Sequence, residues 1–118
     1  PKEVPIILYT KASSHLFSGL KCAGADVLSV DWRIQLSTLR KQLGGRVALQ
    51  GNVDPCVLLG PEERIRQTVS ETIEQTGGLG HILNLGHGIL PTTPVEHAKA
   101  FVQFGQNCRL PVSATLRS

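Results

Sequence analysis

The stretch of this sequence that most suggests chemistry is Gly86-His87-Gly88, a histidine between two glycines that directly follows a largely apolar run at residues 82–85. Glycine costs backbone entropy on folding, so such a turn is typical of a place where the chain bends sharply or approaches a ligand. The imidazole of His87 would then point into the mouth of a sheet. There it could donate a hydrogen bond to a substrate carboxylate or act as a general acid or base. The alternative is a loop histidine whose ring is satisfied by backbone groups.

Carboxylate and amide side chains follow two other apolar runs. The sequence QGNVDP at residues 50–55 predicts a polar turn after a strand, with Asn52 and Asp54 as candidate site residues. The alternative, at least as strong, is that Asn52 and Asp54 simply satisfy the backbone groups of loops. Asp31 ends the apolar run before it and is either a buried carboxylate with a hydrogen-bonding role or a structural support for the rim of the sheet. Both alternatives stay open for all three residues.

Histidines and cysteines give no sign of a metal site. His81 and His87 are six residues apart and straddle a strand, and no pair of His or Cys residues has the spacing of zinc ligands. We therefore predict no metal. The three cysteines are an odd number with wide, irregular spacing, so we predict reduced thiols in a cytoplasmic protein rather than a disulfide framework. These cysteines are Cys22, Cys56 and Cys108.

Composition excludes several classes of protein. Of the 118 residues, 41% are hydrophobic and 18% are charged, which is typical of a globular domain. No apolar run approaches the roughly 18 residues that a membrane-spanning helix needs. The net charge of +3 comes from scattered basic residues, and aromatic residues make up only 4% of the chain. Binding to nucleic acid would require a basic stripe or interleaved aromatic residues, so we predict neither a nucleic-acid nor a membrane partner.

Four strands and four helices alternate along the chain. Apolar runs that predict strands begin near residues 4, 27, 47 and 81, and each is followed by apolar residues at helical spacing. Those helical residues are Leu16, Phe17 and Leu20; Leu36, Leu39 and Leu43; Ile65, Val69 and Ile73; and Val95, Ala98, Val102 and Gly105. This alternation predicts a parallel sheet, with polar residues at the carboxyl ends of its strands, where ligands bind. The sheet is either a small open one or half of a (β/α)8 barrel, since half of about 250 residues is close to this length.

Capping residues mark the ends of the predicted helices. Pro61 suits the first position of the third helix, and Gly77 ends it. Residues 93–96, with the sequence TPVE, predict a capping box at the start of the last helix, and Ser37 is a candidate N-cap of the second. The glycines at residues 77–80 precede a strand, whereas a phosphate-binding loop follows one, so they predict a tight helix-to-strand connection.

Four motifs together resemble the uroporphyrinogen decarboxylase family, from about Val4 to Phe104. They are VPIILYTK, GADVLSVDW, VALQGNVDPCVLL and GHILNLGHGILPTTPVEHAKAFV. The most specific pair is QGN-DP with NLGHG about 30 residues later. The resemblance implies an α/β fold, the C-terminal half (four β/α units) of a (β/α)8 TIM barrel. Residues 1–108 would form that half, and residues 109–118 would be a tail that is expected to be disordered.

The resemblance also implies an activity. Members of the family are lyases that decarboxylate the four acetate side chains of uroporphyrinogen III, giving coproporphyrinogen III in haem and chlorophyll biosynthesis. They use no metal and no organic cofactor, because the pyrrole ring itself accepts the electrons that the lost CO2 leaves behind. A cytoplasmic enzyme that is a homodimer at full length is expected. His87 of the NLGHG motif corresponds to a substrate-binding histidine of the family.

No catalytic residue is expected on this chain. The arginines near the N-terminus of the family, and its central aspartate, tyrosine and serine, all precede the matched region. We therefore predict a fragment of the enzyme that is inactive by itself. Two alternatives remain. One is a related barrel methyltransferase acting on a corrinoid or a thiol, whose zinc is held by His and Cys; no Cys lies beside His87 here. The other is a non-catalytic half-barrel that pairs with a partner chain.

Overall fold

The computed structural model describes residues 4–10, 24–45 and 47–108. Its elements, in chain order, are strand β1 (Ile7–Thr10), strand β2 (Val27–Val30), helix α1 (Leu36–Leu43), strand β3 (Ala48–Val53), a 3-10 helix (Pro55–Leu59), helix α2 (Glu62–Thr76), strand β4 (His81–Leu85) and helix α3 (Val95–Asn107). The helix predicted around residues 16–20, Cys22 and the tail at residues 109–118 lie outside the described residues. None of the helices described is long and apolar enough to cross a membrane.

The four strands form one parallel sheet in the order β1-β2-β3-β4. Each of the last three strands is followed by a helix, as the alternating apolar pattern predicts. Successive parallel strands that are neighbours in space and are joined through helices form the repeating unit of a barrel. The chain therefore has an α/β fold with the arrangement of one half of a (β/α)8 barrel.

Strand β3 is longer than the sequence suggests. The predicted turn at residues 50–55 begins inside the strand, which continues to Val53. Asn52 and Val53 pair with Asn84 and Leu85 of β4, so the backbone ladder keeps both residues extended. A strand continues past a polar side chain when its neighbouring strand still offers backbone hydrogen bonds. The sequence pattern does not contain this information, so it placed the end of β3 too early.

Helix α1 covers the first half of the sheet with the leucine face that the spacing predicts. Leu36, Leu39 and Leu43 are buried against strands β2 and β3. Burying each such side chain fully contributes about 1.5–3 kcal/mol. The predicted N-cap is wrong, because Ser37 lies inside the helix and its backbone N–H donates to Oε1 of Gln75 at 3.2 Å. The side chain of Gln75 on helix α2 thus accepts a hydrogen bond from a backbone N–H group in the first turn of helix α1 that has no partner within the helix.

Helix α2 has the predicted buried face, formed by Ile65, Val69 and Ile73. Pro61 is the residue before the helix and not its first residue, a difference of one position. At the other end Gly77 has a φ of 66°, and Gly78 N–H returns to the Ile73 carbonyl at 3.1 Å. This left-handed ending closes the helix as predicted and turns the chain toward β4.

We expect Gly77→Ala to lower the free energy of unfolding of the full-length protein by about 1–2 kcal/mol, because a Cβ disfavours the left-handed conformation. Urea unfolding measures the change. Gly45→Ala is the matched control, since Gly45 also follows a helix and, like Gly77, has open space where a Cβ would stand, but it has no positive φ. A loss as large at Gly45 as at Gly77 would show that the backbone conformation of Gly77 is not the cause.

Helix α3 buries a face that overlaps the predicted one only in part. Of the four predicted residues, Ala98 and Gly105 are partly buried, and a Cβ on Gly105 would clash with the Leu83 side chain. Val95 and Val102 are 67% and 52% exposed, whereas Ala100 and Phe101 are buried. Phe101 joins the apolar cluster formed by helix α2, the 3-10 helix and strand β3, and its large ring sets the rotation of the helix. The predicted capping box is also wrong, because the residue before the helix is Pro94 and no side chain caps the helix.

Candidate functional site

An open cleft of about 490 Å3 lies at the carboxyl ends of the strands, on the face of the sheet opposite helix α1. Tyr9, Ser29 and Gln50 stand in one row across strands β1, β2 and β3, because the register pairs them directly. The remaining lining residues come from β1, from the end of β4 and from the turn after it: Ile7, Asn84, Leu85, His87, Gly88 and Ile89. A polar row with apolar neighbours can contact both the polar and the apolar groups of a ligand.

His87 lies at the rim of this cleft and is exposed. Its Nδ1 is 3.2 Å from the carbonyl oxygen of Gly88, and since a carbonyl only accepts, Nδ1–H is the donor. Nε2 is then left to the cleft, where it accepts a hydrogen bond in the neutral ring and donates one in the imidazolium. Both interpretations of His87 are therefore represented in the structure. One ring nitrogen contacts a backbone carbonyl, and the other edge of the ring is open to a ligand.

Gly86, immediately before this histidine, is required by close packing within the chain. A Cβ on Gly86 would lie 2.5 Å from the backbone nitrogen of Trp32 and 3.0 Å from the carbonyl carbon of Asp31. The sequence indicated that the backbone approaches something closely at this point. The structure shows that it approaches the segment following β2, which brings the ends of β2 and β4 together.

Asn52, Asp54 and Asp31 have structural contacts. The amide of Asn52 donates to the carbonyl of Asp31 at 2.7 Å and to the carbonyl of Ile34, so it fixes the segment after β2. Asp54 accepts from Cys56 N–H at 2.9 Å and starts the 3-10 helix. These contacts confirm the loop-satisfying alternative for both residues.

Asp31 is only 2% exposed. One carboxylate oxygen accepts a hydrogen bond from Arg33 N–H at 3.1 Å, and the other lies 3.7 Å from the Arg33 guanidinium. The carboxylate is therefore buried and paired within its own turn, which agrees with the structural-support alternative.

The other described histidines lie away from the cleft. His97 on helix α3 contacts the Leu58 carbonyl oxygen through Nδ1 at 2.6 Å. His81 lies on the side of the sheet that faces helix α2, with Nε2 2.8 Å from the Gly51 carbonyl oxygen and Nδ1 2.9 Å from Thr76 Oγ1. Across residues 4–10, 24–45 and 47–108, no three His, Cys, Asp or Glu side chains form a group that could hold a metal ion.

Burial lowers the pKa of His81 below its usual range, because desolvation penalises the imidazolium. The hydrogen bond to Gly51 opposes this shift, and the positive charge of Arg40 adds to it. His81 is therefore held as a neutral ring that joins the end of helix α2 to strand β3.

This shift predicts that the full-length protein loses stability as the pH falls. Below about 6.5 the unfolded His81 takes up a proton while the folded one resists it, so protons favour the unfolded state. The contribution is fully present above that pH and is lost below it. Urea unfolding at pH 7.5 and pH 5.5 measures the difference, and His81→Gln should reduce it. Thr68→Val is the control, because it removes a hydroxyl group and no ionisable group from helix α2; an equal reduction in both variants would contradict the assignment to His81.

Sequence reasoning missed Tyr9, Ser29 and Gln50 as residues of the cleft. The available signal was a polar group in each of three otherwise apolar strands. Alternation places every second residue of a strand on one face, so these three groups share a face once the strands pair in register. The register itself was needed to bring them together.

The chain is similar in sequence to uroporphyrinogen decarboxylases. A family model described as "Uroporphyrinogen decarboxylase (URO-D)" matches residues 1–107. A protein from Gloeobacter violaceus named uroporphyrinogen decarboxylase is 45% identical over 95% of this chain, and uroporphyrinogen decarboxylase 2, chloroplastic, from rice (Oryza sativa subsp. japonica) is 43% identical over 91% of it. The chain covers only 32% and 27% of these two relatives, so it spans about a third of their length or less.

A solved structure of a methyltransferase from Methanosarcina mazei is similar in fold. It superposes with a TM-score of 0.76 at 28% identity and covers 88% of this chain, which in turn covers 31% of that structure. The sequence identity to the two decarboxylases is higher, 45% and 43% against 28%. With a family match over residues 1–107 and 45% identity to a named member over 95% of this chain, the chain belongs to the uroporphyrinogen decarboxylase family.

Proposed function

We propose that this chain is the C-terminal half of the barrel of a uroporphyrinogen decarboxylase, with residues 1–108 as its four β/α units. The whole enzyme removes CO2 from the four acetate side chains of uroporphyrinogen III to give coproporphyrinogen III. The observation that carries the proposal is the position of His87 at the rim of a strand-end cleft, in a chain 45% identical to a decarboxylase over 95% of its length.

The chemistry fits a cleft with few charged groups of its own. Protonation of a pyrrole carbon makes the ring an electron acceptor, the bond between the acetate methylene and its carboxylate breaks, and the electron pair enters the ring. CO2 leaves, a second proton converts the methylene to a methyl group, and the ring carbon releases the proton that it first took up, so that one proton replaces each CO2 and the pyrrole is restored. Because the protonated pyrrole ring itself accepts the electron pair, the reaction needs no metal or organic cofactor. The protein has to bind the carboxylates and deliver the protons.

His87 is the residue of this chain that we assign to substrate binding. In the imidazolium form its Nε2–H donates to a substrate carboxylate while Nδ1–H stays on the Gly88 carbonyl. The groups that neutralise the reacting acetate are assigned to the part of the enzyme that this chain does not include. This assignment is supported by the length of the relatives, because the chain covers about a third of them or less and the rest of the enzyme is available to supply those groups.

Two further parts of the proposal concern assembly and compartment. We assign the full-length enzyme to a homodimer in the cytoplasm, with uroporphyrinogen and coproporphyrinogen as substrate and product. The rice relative is named as chloroplastic, so the family also occurs in plastids. Sedimentation of the purified full-length enzyme and fractionation of the source cells test these two assignments.

The similar solved structure is named as a methyltransferase, which supports methyl transfer as a second candidate. The form of that reaction raised by the sequence is the one assisted by zinc. A zinc site of His and Cys would have to form near the strand ends. Of the described cysteines, Cys56 is exposed on the 3-10 helix, and Cys108 follows helix α3, away from the cleft. The higher identity to the decarboxylases favours the first candidate.

One experiment separates the two candidates. The full-length protein is incubated anaerobically with uroporphyrinogen III, its products are oxidised and separated, and bound zinc is measured in parallel. Conversion to coproporphyrinogen by protein free of zinc is the expected result. Stoichiometric zinc together with no decarboxylated product, in protein shown to be folded, would favour the methyl transfer reaction.

A further inference from the structure

We propose that Tyr9 is a positioning residue, whose hydroxyl group fixes the peptide group between Gly86 and His87 and thereby sets the direction in which the His87 imidazole enters the cleft. The kinetic part of this proposal rests on the proposed function. Its structural part rests only on the contacts around the turn at residues 86–88.

The hydroxyl of Tyr9 donates to the carbonyl oxygen of Gly86 at 3.0 Å. That carbonyl and the N–H of His87 belong to one planar peptide group, so a fixed oxygen fixes the whole plane. Rotation about a single bond, the φ angle of His87, then separates this fixed plane from the Cα–Cβ bond that carries the imidazole. The Tyr9 hydroxyl therefore acts on the histidine through the shortest covalent path that the backbone allows.

The preceding peptide group is fixed by different contacts. Gly86 N–H donates to the Val53 carbonyl of strand β3 at 2.7 Å, and the Cα of Gly86 packs on the backbone of Trp32. On the far side of the turn there is open space where a side chain of Gly88 would stand, and the Gly88 carbonyl contacts the His87 ring itself. Of the described hydrogen bonds, that of Tyr9 is the one by which a residue distant in the sequence holds the peptide group between Gly86 and His87.

The geometry favours positioning over direct substrate contact. A phenol has one hydrogen to donate, and that of Tyr9 goes to Gly86. Tyr9 lies on β1 and the turn follows β4, so the bond joins the first and last strands of this sheet, 77 residues apart in the chain. The contact can form only when all four strands are in register and curved, which couples the direction of His87 to the correct assembly of the sheet.

A double-mutant cycle in the full-length protein tests the proposal. Tyr9→Phe keeps the ring and removes only the hydroxyl, and we expect kcat/KM for uroporphyrinogen III to fall about three- to tenfold, the range for one neutral hydrogen bond. In the His87→Asn background the same substitution should change kcat/KM less than twofold, because the group that it positions is already gone.

Thr68→Val is the matched control. It also removes a hydroxyl that donates to a backbone carbonyl, that of Arg64 at 2.8 Å, but on the surface of helix α2. This variant should leave kcat/KM unchanged and should shift the thermal midpoint about as much as Tyr9→Phe does. An equal loss of kcat/KM from Tyr9→Phe in both histidine backgrounds, or no loss in either, would overturn the proposal.

A spectroscopic measurement keeps this test separate from the proposed function. In substrate-free protein labelled with 13C in its histidine rings, the His87 signal is identified by its disappearance in His87→Asn. Tyr9→Phe should move that signal and leave those of His81 and His97 in place. If the parent protein turns over no uroporphyrinogen, the proposed function fails and the spectrum alone decides: a moved His87 signal supports the positioning role, and an unmoved one overturns it.

Discussion

A polypeptide of residues 1–118 alone is expected to self-associate and to show no decarboxylation of uroporphyrinogen III. Strands β1 and β4 are the two edges of the sheet in the described residues. Ile7 and Tyr9 on β1 are 52% and 48% exposed and Ile82 on β4 is 43% exposed, all on the face of the sheet that forms the cleft. Unpaired backbone groups at a strand edge, next to exposed apolar side chains, recruit another chain, whereas in a closed barrel each edge would pair with the other half.

Inactivity has a separate cause. The groups that we assign to neutralising the reacting acetate lie outside this chain, so even a correctly folded half-barrel would lack them. Their loss removes the electrostatic stabilisation that usually dominates catalysis. The expected rate is therefore the background rate, a loss of several orders of magnitude relative to the full-length enzyme.

Size-exclusion chromatography and a turnover assay on the same preparation test both parts. The full-length enzyme at the same molar concentration is the control for the assay. A stable monomer that produces coproporphyrinogen would contradict both the half-barrel assignment and the location of the catalytic groups. Restoration of activity by adding the separately produced N-terminal part would support both.

His87→Asn in the full-length enzyme is expected to lower kcat/KM by one to two orders of magnitude. A hydrogen bond to a charged group is worth about 1.5–3 kcal/mol, and each 1.4 kcal/mol corresponds to a factor of ten. Stability should change little, because the side chain is exposed and its one described partner is the neighbouring Gly88 carbonyl. Kinetics with uroporphyrinogen III and thermal unfolding measure the two effects.

The control for this prediction is His97→Asn. That substitution removes a histidine from helix α3, where it contacts the Leu58 carbonyl and not the cleft. It is expected to lower the thermal midpoint and to leave kcat/KM as it was. Unchanged kinetics in His87→Asn would remove His87 from the site, and equal kinetic losses in both variants would point to a general effect on folding.

The order and type of the described elements were predictable because their signals are local. The apolar run at residues 27–30 coincides with strand β2, and the leucine spacing around Leu39 marks the buried face of helix α1. The period of 2 residues that indicates a strand and the period of 3.6 that indicates a helix can both be recognised in a short stretch of sequence, independently of what the side chains pack against. The resemblance to the family was also visible in the sequence, because its motifs are short runs of consecutive residues at or near the strands.

The rotation of helix α3 was not predictable in the same way. Its valines and its Phe101 offer two possible apolar faces, and local spacing does not distinguish them. The structure buries Phe101 against helix α2 and the 3-10 helix, and leaves Val95 and Val102 exposed. Packing volume decided the face, and packing volume depends on residues that are distant in the sequence.

The sequence by itself determined the alternation of strands and helices, the buried faces of helices α1 and α2, the family, and the placement of His87 after the last strand. The tertiary structure alone decided that β3 continues through Asn52, that Gly86 packs on the segment after β2, and that Tyr9 reaches the turn beside His87. Each of these features depends on a hydrogen bond or a contact between different strands. Local propensity carries no information about which partner a strand will meet, so such features exist only once the sheet has formed.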